Sequence, residues 1–372
     1  MIYLDHNSTT HIHKEVKQLA TSLISKMLNP SSIHTNGREA RSIIENARRQ
    51  ICQTVLINNH KEYNIIFTSS GTESNNLIMS NYYDADVFIS SIEHLSILNQ
   101  IQRLPNVKII KVDNNGIINL EDLESALRAS HATKKLVSVM LANNETGVIQ
   151  PIKEVAKIAK KFGAQIHSDC VQALGKIELD ITDLEIDFAT ISAHKFGGLI
   201  GSAALIARAK FTIKPMMLGG GQEKNMRSGT ENVLSIAGFG LAAELAKKEL
   251  VQRMRRMRML QIKLEEGLTM CLPQVKIVGS SSARLPNTSL IIAKGSEAQT
   301  QIINFDLRGF MLSSGSACSS GKIGKPYVLT AMGISDDDAK SAIRVSLSHY
   351  NSENEIDAFI KTFKEIYSTI GV

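Results

Sequence analysis

An α/β architecture is what this sequence predicts: a large domain on a mostly parallel sheet covered by helices, plus a smaller α+β domain. Three observations predict it. Short β-branched runs alternate with amphipathic segments through the middle of the chain. A long helical pattern follows, and beyond Pro273 the texture changes to mixed strands and helices. Strands separated by helices favour parallel pairing with both faces of the sheet covered. At 372 residues the chain is long enough for both domains.

Seven candidate strands carry the first part: Tyr63–Thr68, Asp86–Ser90, Val107–Val112, Leu136–Leu141, Ala164–Ser168, Asp187–Ile191 and Ser202–Ala207. Helical patterns lie between several of them, at Ser74–Asn81, Leu120–Ala129 and Ile152–Phe162, the last opened by Pro151 in a first-turn position. From Val233 to Leu268 the pattern is continuously helical. Thr288–Ala293 and Ile343–Leu347 then read as strands, and Gln299–Phe305 and Glu353–Ile370 as helices. The domain boundary is expected inside the long helix: residues 15–252 form the large domain, and residues 1–14 with 253–372 the small one.

The charge balance, 42 basic against 36 acidic residues, is too diffuse to imply nucleic acid or a membrane surface. No secretory leader is visible at Met1–Asp5, and no stretch has the length of a membrane span. The four cysteines, Cys52, Cys170, Cys271 and Cys318, are widely scattered, which suits reduced thiols in a cytoplasmic protein. His167 and Cys170 form half a metal site that no second pair completes, so no metal is expected. Arg253, Arg255, Arg256 and Arg258 interleave with methionines and read as the solvated face of a helix.

The chemistry is expected around Lys195. It ends the run Ser192-Ala193-His194-Lys195, shortly after an apolar strand that closes on Asp169. A strand-end carboxylate and a lysine in this arrangement suit pyridoxal 5'-phosphate (PLP): the amine binds the aldehyde and the acid pairs with the ring nitrogen. Ser69–Glu73, with Gly71 and Thr72, follows a strand and opens a helix, so it reads as a phosphate cradle or an ordinary capped turn. His94 follows another strand and is either a ring-stacking histidine or a satisfied structural one. Asn143–Gly147 is either a tight turn or a place where Asn144 meets the cofactor or a substrate carboxylate. Gln172 falls on the side of Asp169 if a helix begins there. Near the other end, Ser313–Gly321 is a Ser/Gly-rich run with a single thiol, Cys318, a composition suited to a mobile nucleophile.

With these blocks in order the chain resembles a class I cysteine desulfurase of the NifS and IscS type, within the fold type I PLP-dependent transferases. The matching blocks are Tyr3–Asp5, Asn29–Ser32, Thr68–Asn76, Glu93-His94, Asn143–Gly147, Asp169 with Gln172, Ser192–Lys195, Gly219–Asn232, Ser313–Cys318 and Ile343–Leu347. The resemblance implies that PLP is held by Lys195, with Asp169 at the ring nitrogen, Gln172 at the phenolic oxygen and His94 on the ring. It places Gly71, Thr72, Ser192 and His194 at the phosphate, joined by Thr230 of a second subunit, hence a homodimer. Arg344 with Asn144 would bind the substrate carboxylate. Cys318 would take the sulfur of L-cysteine as a persulfide, leaving alanine, for an acceptor protein in iron–sulfur cluster assembly or tRNA thiolation. No direct contact with nucleic acid is implied.

The chain departs from the family at His6-Asn7-Ser8, where an aromatic residue and two alanines are usual and only local repacking is expected, and at Phe196–Leu199, where a Gly-Pro-Lys-Gly element is usual; its C-terminus stops soon after the last helix. Two alternatives stand beside the desulfurase reading. One is a selenocysteine lyase. The other, suggested by the altered turn, is a weakly active paralogue serving as an interaction scaffold.

Overall fold

The computed structural model describes residues 1–57, 60–315 and 326–370. All seven candidate strands enter one seven-stranded sheet. Its order is Tyr63–Thr68, Ala203–Arg208, Phe188–Ser192, Gln165–Asp169, Lys135–Ser138, Asp86–Ser90, Val107–Ile110. Pairing is parallel except along both sides of Ala203–Arg208, which runs antiparallel to its neighbours. Most of the strands are buried nearly from end to end because helices cover both faces, the edge strand Val107–Ile110 being more open. Leu120–Ala129, Ile152–Lys161 and Thr35–Val55 help to bury one face, while Gly71–Ser80 packs on the other.

A second core surrounds a four-stranded antiparallel sheet, ordered Ser313–Ser314, Ala342–Ser346, Thr288–Ile292, Lys276–Ile277. Leu260, Leu264 and Leu268 of the helix Leu250–Cys271 pack there against Phe359 and Phe363 of Glu353–Ile370. The N-terminal segment belongs to this side. Ile2–Tyr3 pairs in parallel with Phe310–Met311, and Leu4 is buried in the same core.

The structure corrects the expected continuous helix. It is two helices, Val233–Lys248 and Leu250–Cys271, broken at Glu249, whose backbone leaves the helical region (φ −100°, ψ 3°). The Glu249 carboxylate there takes Arg253 Nη2 at 2.8 Å and Nε at 3.0 Å. Arg253 is therefore buried at the corner rather than on a solvated face. Among the described residues, no helix is long and apolar enough to cross a membrane.

Candidate active site

The sheet brings its strand ends to one cavity of about 170 Å³. Ten of the residues expected at a site line it: Gly71, Thr72, His94, Asn144, Asp169, Gln172, Ser192, His194, Lys195 and Arg344. They come from the ends of five strands of the large sheet and the loops that follow them, and from an inner strand of the four-stranded sheet, so the cavity lies where the two cores meet. Ligands of open α/β sheets occupy this kind of crevice at the carboxyl ends of strands.

One end of the cavity is built for an anion. The strand Tyr63–Thr68 runs into the ten-residue helix Gly71–Ser80, whose N-cap Ser70 accepts a hydrogen bond from Glu73 N at 3.1 Å. The Glu73 carboxylate reaches back to Ser69 N at 2.7 Å, closing the turn from both sides. Burial pushes the Glu73 carboxyl up, but hydrogen bonds from Arg227 and Ser69 outweigh it and hold the group below its usual range. The helix N-terminus, with the Thr72 and Ser192 hydroxyls and His194, faces the cavity. A Cβ on Gly71 would stand 3.1 Å from Val171 Cγ2, so a side chain there would crowd the cradle. Burial first, then Lys195 and Lys176, push His194 down to about 4, leaving it a neutral imidazole.

The other groups are fixed by their neighbours. Asp169 accepts at both oxygens, from Asn75 Nδ2 at 2.8 Å and from Val171 N at 2.9 Å. That second bond captures the chain in a turn, and residues 171–176 continue as turns, so the condition of a helix beginning there is not met. Gln172 reaches the cavity all the same. His94 caps the short helix Leu95–Leu98, its Nδ1 accepting from Ser96 N at 3.1 Å, which leaves the ring proton on Nε2. Burial lowers its pKa and Lys195 adds to the effect, while Asp169 opposes it. The Lys195 amine donates to Asn7 O at 2.6 Å and Ser8 O at 2.7 Å. Arg344 is buried; its Nη2 donates to Asp5 Oδ1 at 2.6 Å and Ser8 Oγ at 2.9 Å, and its Nη1 to Asn144 O at 3.1 Å.

The unusual turn after Lys195 closes without disturbing it. Gly197 takes a positive φ of 105°, Gly198 N donates to Ala193 O at 3.0 Å, and Phe196 is buried beside Phe239. Asn143–Gly147 is a tight turn, with Asn143 Oδ1 accepting from the backbone N–H of Glu145 and Thr146 at 2.9 Å each. It also leaves Asn144 Oδ1 buried at the cavity without a partner among the described residues. Thr230 is exposed and does not line the cavity of its own chain. Cys318 lies outside the described residues; the segment leading to it begins at Ser313, paired with Arg344 on the adjacent strand. His167 is structural, its ring nitrogens meeting Ser138 Oγ at 2.8 Å and Thr190 Oγ1 at 3.1 Å.

The roles of several working residues escape a reading of the sequence, which expects only local repacking at Asn7 and Ser8. Asn7, Ser8 and Asn75 line the cavity, and Lys176 lies behind it. The one available signal is at Lys176, a lysine among the apolar residues Val171, Ala173, Leu174 and Ile177.

A neutral histidine, a carboxylate, a carboxamide and an amine gathered beside a helix N-terminus match the demands of PLP, and with an open α/β sheet they define a PLP-dependent enzyme of fold type I. The aminotransferase class-V family model matches residues 2–359. A curated relative, cysteine desulfurase 2 of Trichormus variabilis, is 37% identical, covering 98% of this chain and 93% of its own. Cysteine desulfurase IscS of Dictyoglomus turgidum is 36% identical over 98% of this chain and 94% of its own. Among solved structures, a NifS-like protein from Rickettsia africae superposes with a TM-score of 0.95 at 52% identity, covering 99% of both chains. The chain belongs to the aminotransferase class-V family, among its cysteine desulfurases, and PLP is its cofactor.

Proposed function

We propose that this chain is a PLP-dependent L-cysteine desulfurase in which Lys195 carries the cofactor and Cys318 receives the sulfur. The observation that supports this most is the convergence of Lys195, Asp169, His94 and Arg344 on one cavity. Bound there, PLP supplies an electron sink for the bond changes at the substrate's α-carbon. Asp169, oriented by Asn75 and Val171, holds a proton at the ring nitrogen. His94, neutral, covers the ring face, and Gln172 donates to the phenolic oxygen. Gly71, Thr72, Ser192 and His194 hold the phosphate. Arg344 and Asn144 take the substrate carboxylate, which places the α-proton for removal by the Lys195 amine.

The sulfur of Cys318 then attacks the substrate sulfur. The substrate's Cβ–S bond breaks, an S–S bond forms, and Cβ gains a proton. Cysteine and one thiol thus become alanine and one persulfide, with no added oxidant. Incubation with L-cysteine, reading alanine released and mass added at Cys318, tests the proposal. A cofactor-loaded protein that yields neither product would remove it.

The persulfide is destined for an acceptor protein in iron–sulfur cluster assembly or tRNA thiolation. A homodimer is supported by Thr230, exposed and off its own cavity, and by the exposed apolar Met216, Met217 and Leu218 of the same loop region. Mixing inactive Lys195→Ala and Thr230→Ala subunits should restore part of the activity if the sites are shared. A cytoplasmic setting suits Cys170 and Cys271, which are free thiols.

A further inference from the structure

Behind the cavity a lysine is buried where the proposed reaction has no use for its charge. Lys176 is 5% exposed, and its Nζ donates to Asn7 Oδ1 at 2.8 Å and to Gln172 Oε1. It has no carboxylate within ion-pairing distance among the described residues. Burial, then Lys195 and Arg344, pull its pKa well below the ordinary value. Leaving such an amine in the interior is costly unless it does something a smaller or apolar side chain cannot.

Its two partners show what that is. Both are carboxamides, groups with an oxygen at one end and an NH2 at the other, which can turn over with little change in shape. The Lys176 amine has N–H bonds to give in either protonation state. Here it gives them to the oxygens of Gln172 and Asn7, so that both NH2 groups turn away. For Asn7 the consequence is visible, since Nδ2 donates to Asn144 O at 3.1 Å and Thr288 Oγ1 at 2.9 Å. For Gln172, Nε2 donates to Asn7 O at 3.0 Å on the cavity side, the carbonyl that also receives the Lys195 amine.

Asn7 is thus a hub. Its backbone N–H donates to Ser346 Oγ at 2.9 Å, and its Oδ1 also accepts from Asn287 Nδ2 at 3.1 Å, so one residue ties the small sheet to Gln172, Lys176 and Lys195. We propose that Lys176 is a positioning residue that fixes the Gln172 carboxamide with its N–H groups toward the cofactor's phenolic oxygen. The assignment rests on the reading that PLP occupies this cavity with Gln172 at that oxygen. A donor there favours the deprotonated form of the lysine-bound cofactor, because it stabilises negative charge on the oxygen.

The test is a pH titration of the visible absorption band of the holoenzyme, comparing wild type, Lys176→Met, Gln172→Leu and the double variant. Lys176→Met should move the titration midpoint up by about one pH unit, the scale of one charge-assisted hydrogen bond. Gln172→Leu should move it the same way, and the double variant no further than Gln172→Leu alone, because the lysine acts through the glutamine. An unmoved midpoint in Lys176→Met, or shifts that add in the double variant, overturns the proposal. So does a folded Lys176→Met protein that takes up no cofactor when Gln172→Leu does. Absence of a borohydride-sensitive band in the wild type would instead remove the underlying reading of the cavity.

Discussion

Glu145 offers a prediction in which pH separates two explanations. It is 1% exposed, its Oε2 has no hydrogen-bond partner among the described residues, and a Cβ on Gly315 would lie 2.9 Å from that oxygen. Burial raises its pKa from 4.5 to about 8, with Arg344 acting against the rise. A carboxyl whose pKa is higher in the folded state keeps its proton where the unfolded chain has lost it. Its stabilising contribution is complete below 4.5 and is lost as pH rises toward about 8. The loss runs at about 1.4 kcal/mol per pH unit inside that window, so roughly 3 kcal/mol has gone by neutral pH. Glu145→Gln, neutral at every pH, removes the dependence. Denaturant unfolding of both proteins between about pH 5 and 8 should show the variant gaining on the wild type by roughly 1 kcal/mol or more per unit. A stability difference that stays flat across that range would show Glu145 ionised inside the fold and refute the reasoning.

Arg344→Lys keeps the charge but loses the fork that spans Asp5, Ser8 and Asn144 O; KM for cysteine should rise at least about tenfold with a smaller change in kcat, and an unchanged KM would free Arg344 from the carboxylate role. Gly198→Ala would set a Cβ 2.7 Å from Ala193 Cβ and 3.0 Å from its carbonyl oxygen, one turn from Lys195. It should cost the protein most of its bound cofactor on gel filtration, and full retention would show that the turn can yield. Glu223→Gln disturbs a buried carboxylate that accepts from Arg48 Nη1 at 2.9 Å, Arg48 Nη2 at 2.8 Å and Phe67 N at 2.8 Å. Stranding the guanidinium should destabilise by about 3 kcal/mol and lower the melting midpoint by several degrees, and an unmoved midpoint would assign the pair no net value.

Most strands of the large sheet were legible because they are covered on both faces, so their apolar runs are continuous and short. Helix ends and breaks were less so. Gly71–Ser80 begins three residues before the apolar pattern does, because Ser70 and Glu73 define the start through hydrogen bonds rather than hydrophobicity. The break at Glu249 is silent in the pattern for a related reason. Leu245 is buried in one core and Leu260 in another, and periodicity records that a face is covered without recording by what.

The same distinction runs through the cavity. Lys195 and Asp169 were readable because an amine and an acid are unusual beside apolar strand ends; His94 admitted two readings, and Arg344, in the middle of Ala342–Ser346, came only with the family resemblance. Asn7, Asn75 and Lys176 answer to other groups of the protein: Asn75 to an acid 94 positions away, Asn7 to an asparagine 280 positions away. Spacing along the chain carries no trace of such partners. Yet these residues set which atom of each visible group faces the cavity, since a carboxamide that has turned over keeps its name and loses its donor. The residue types at this site therefore constrain its ligand, while the direction of its hydrogen bonds is decided by buried neighbours that only the fold brings together.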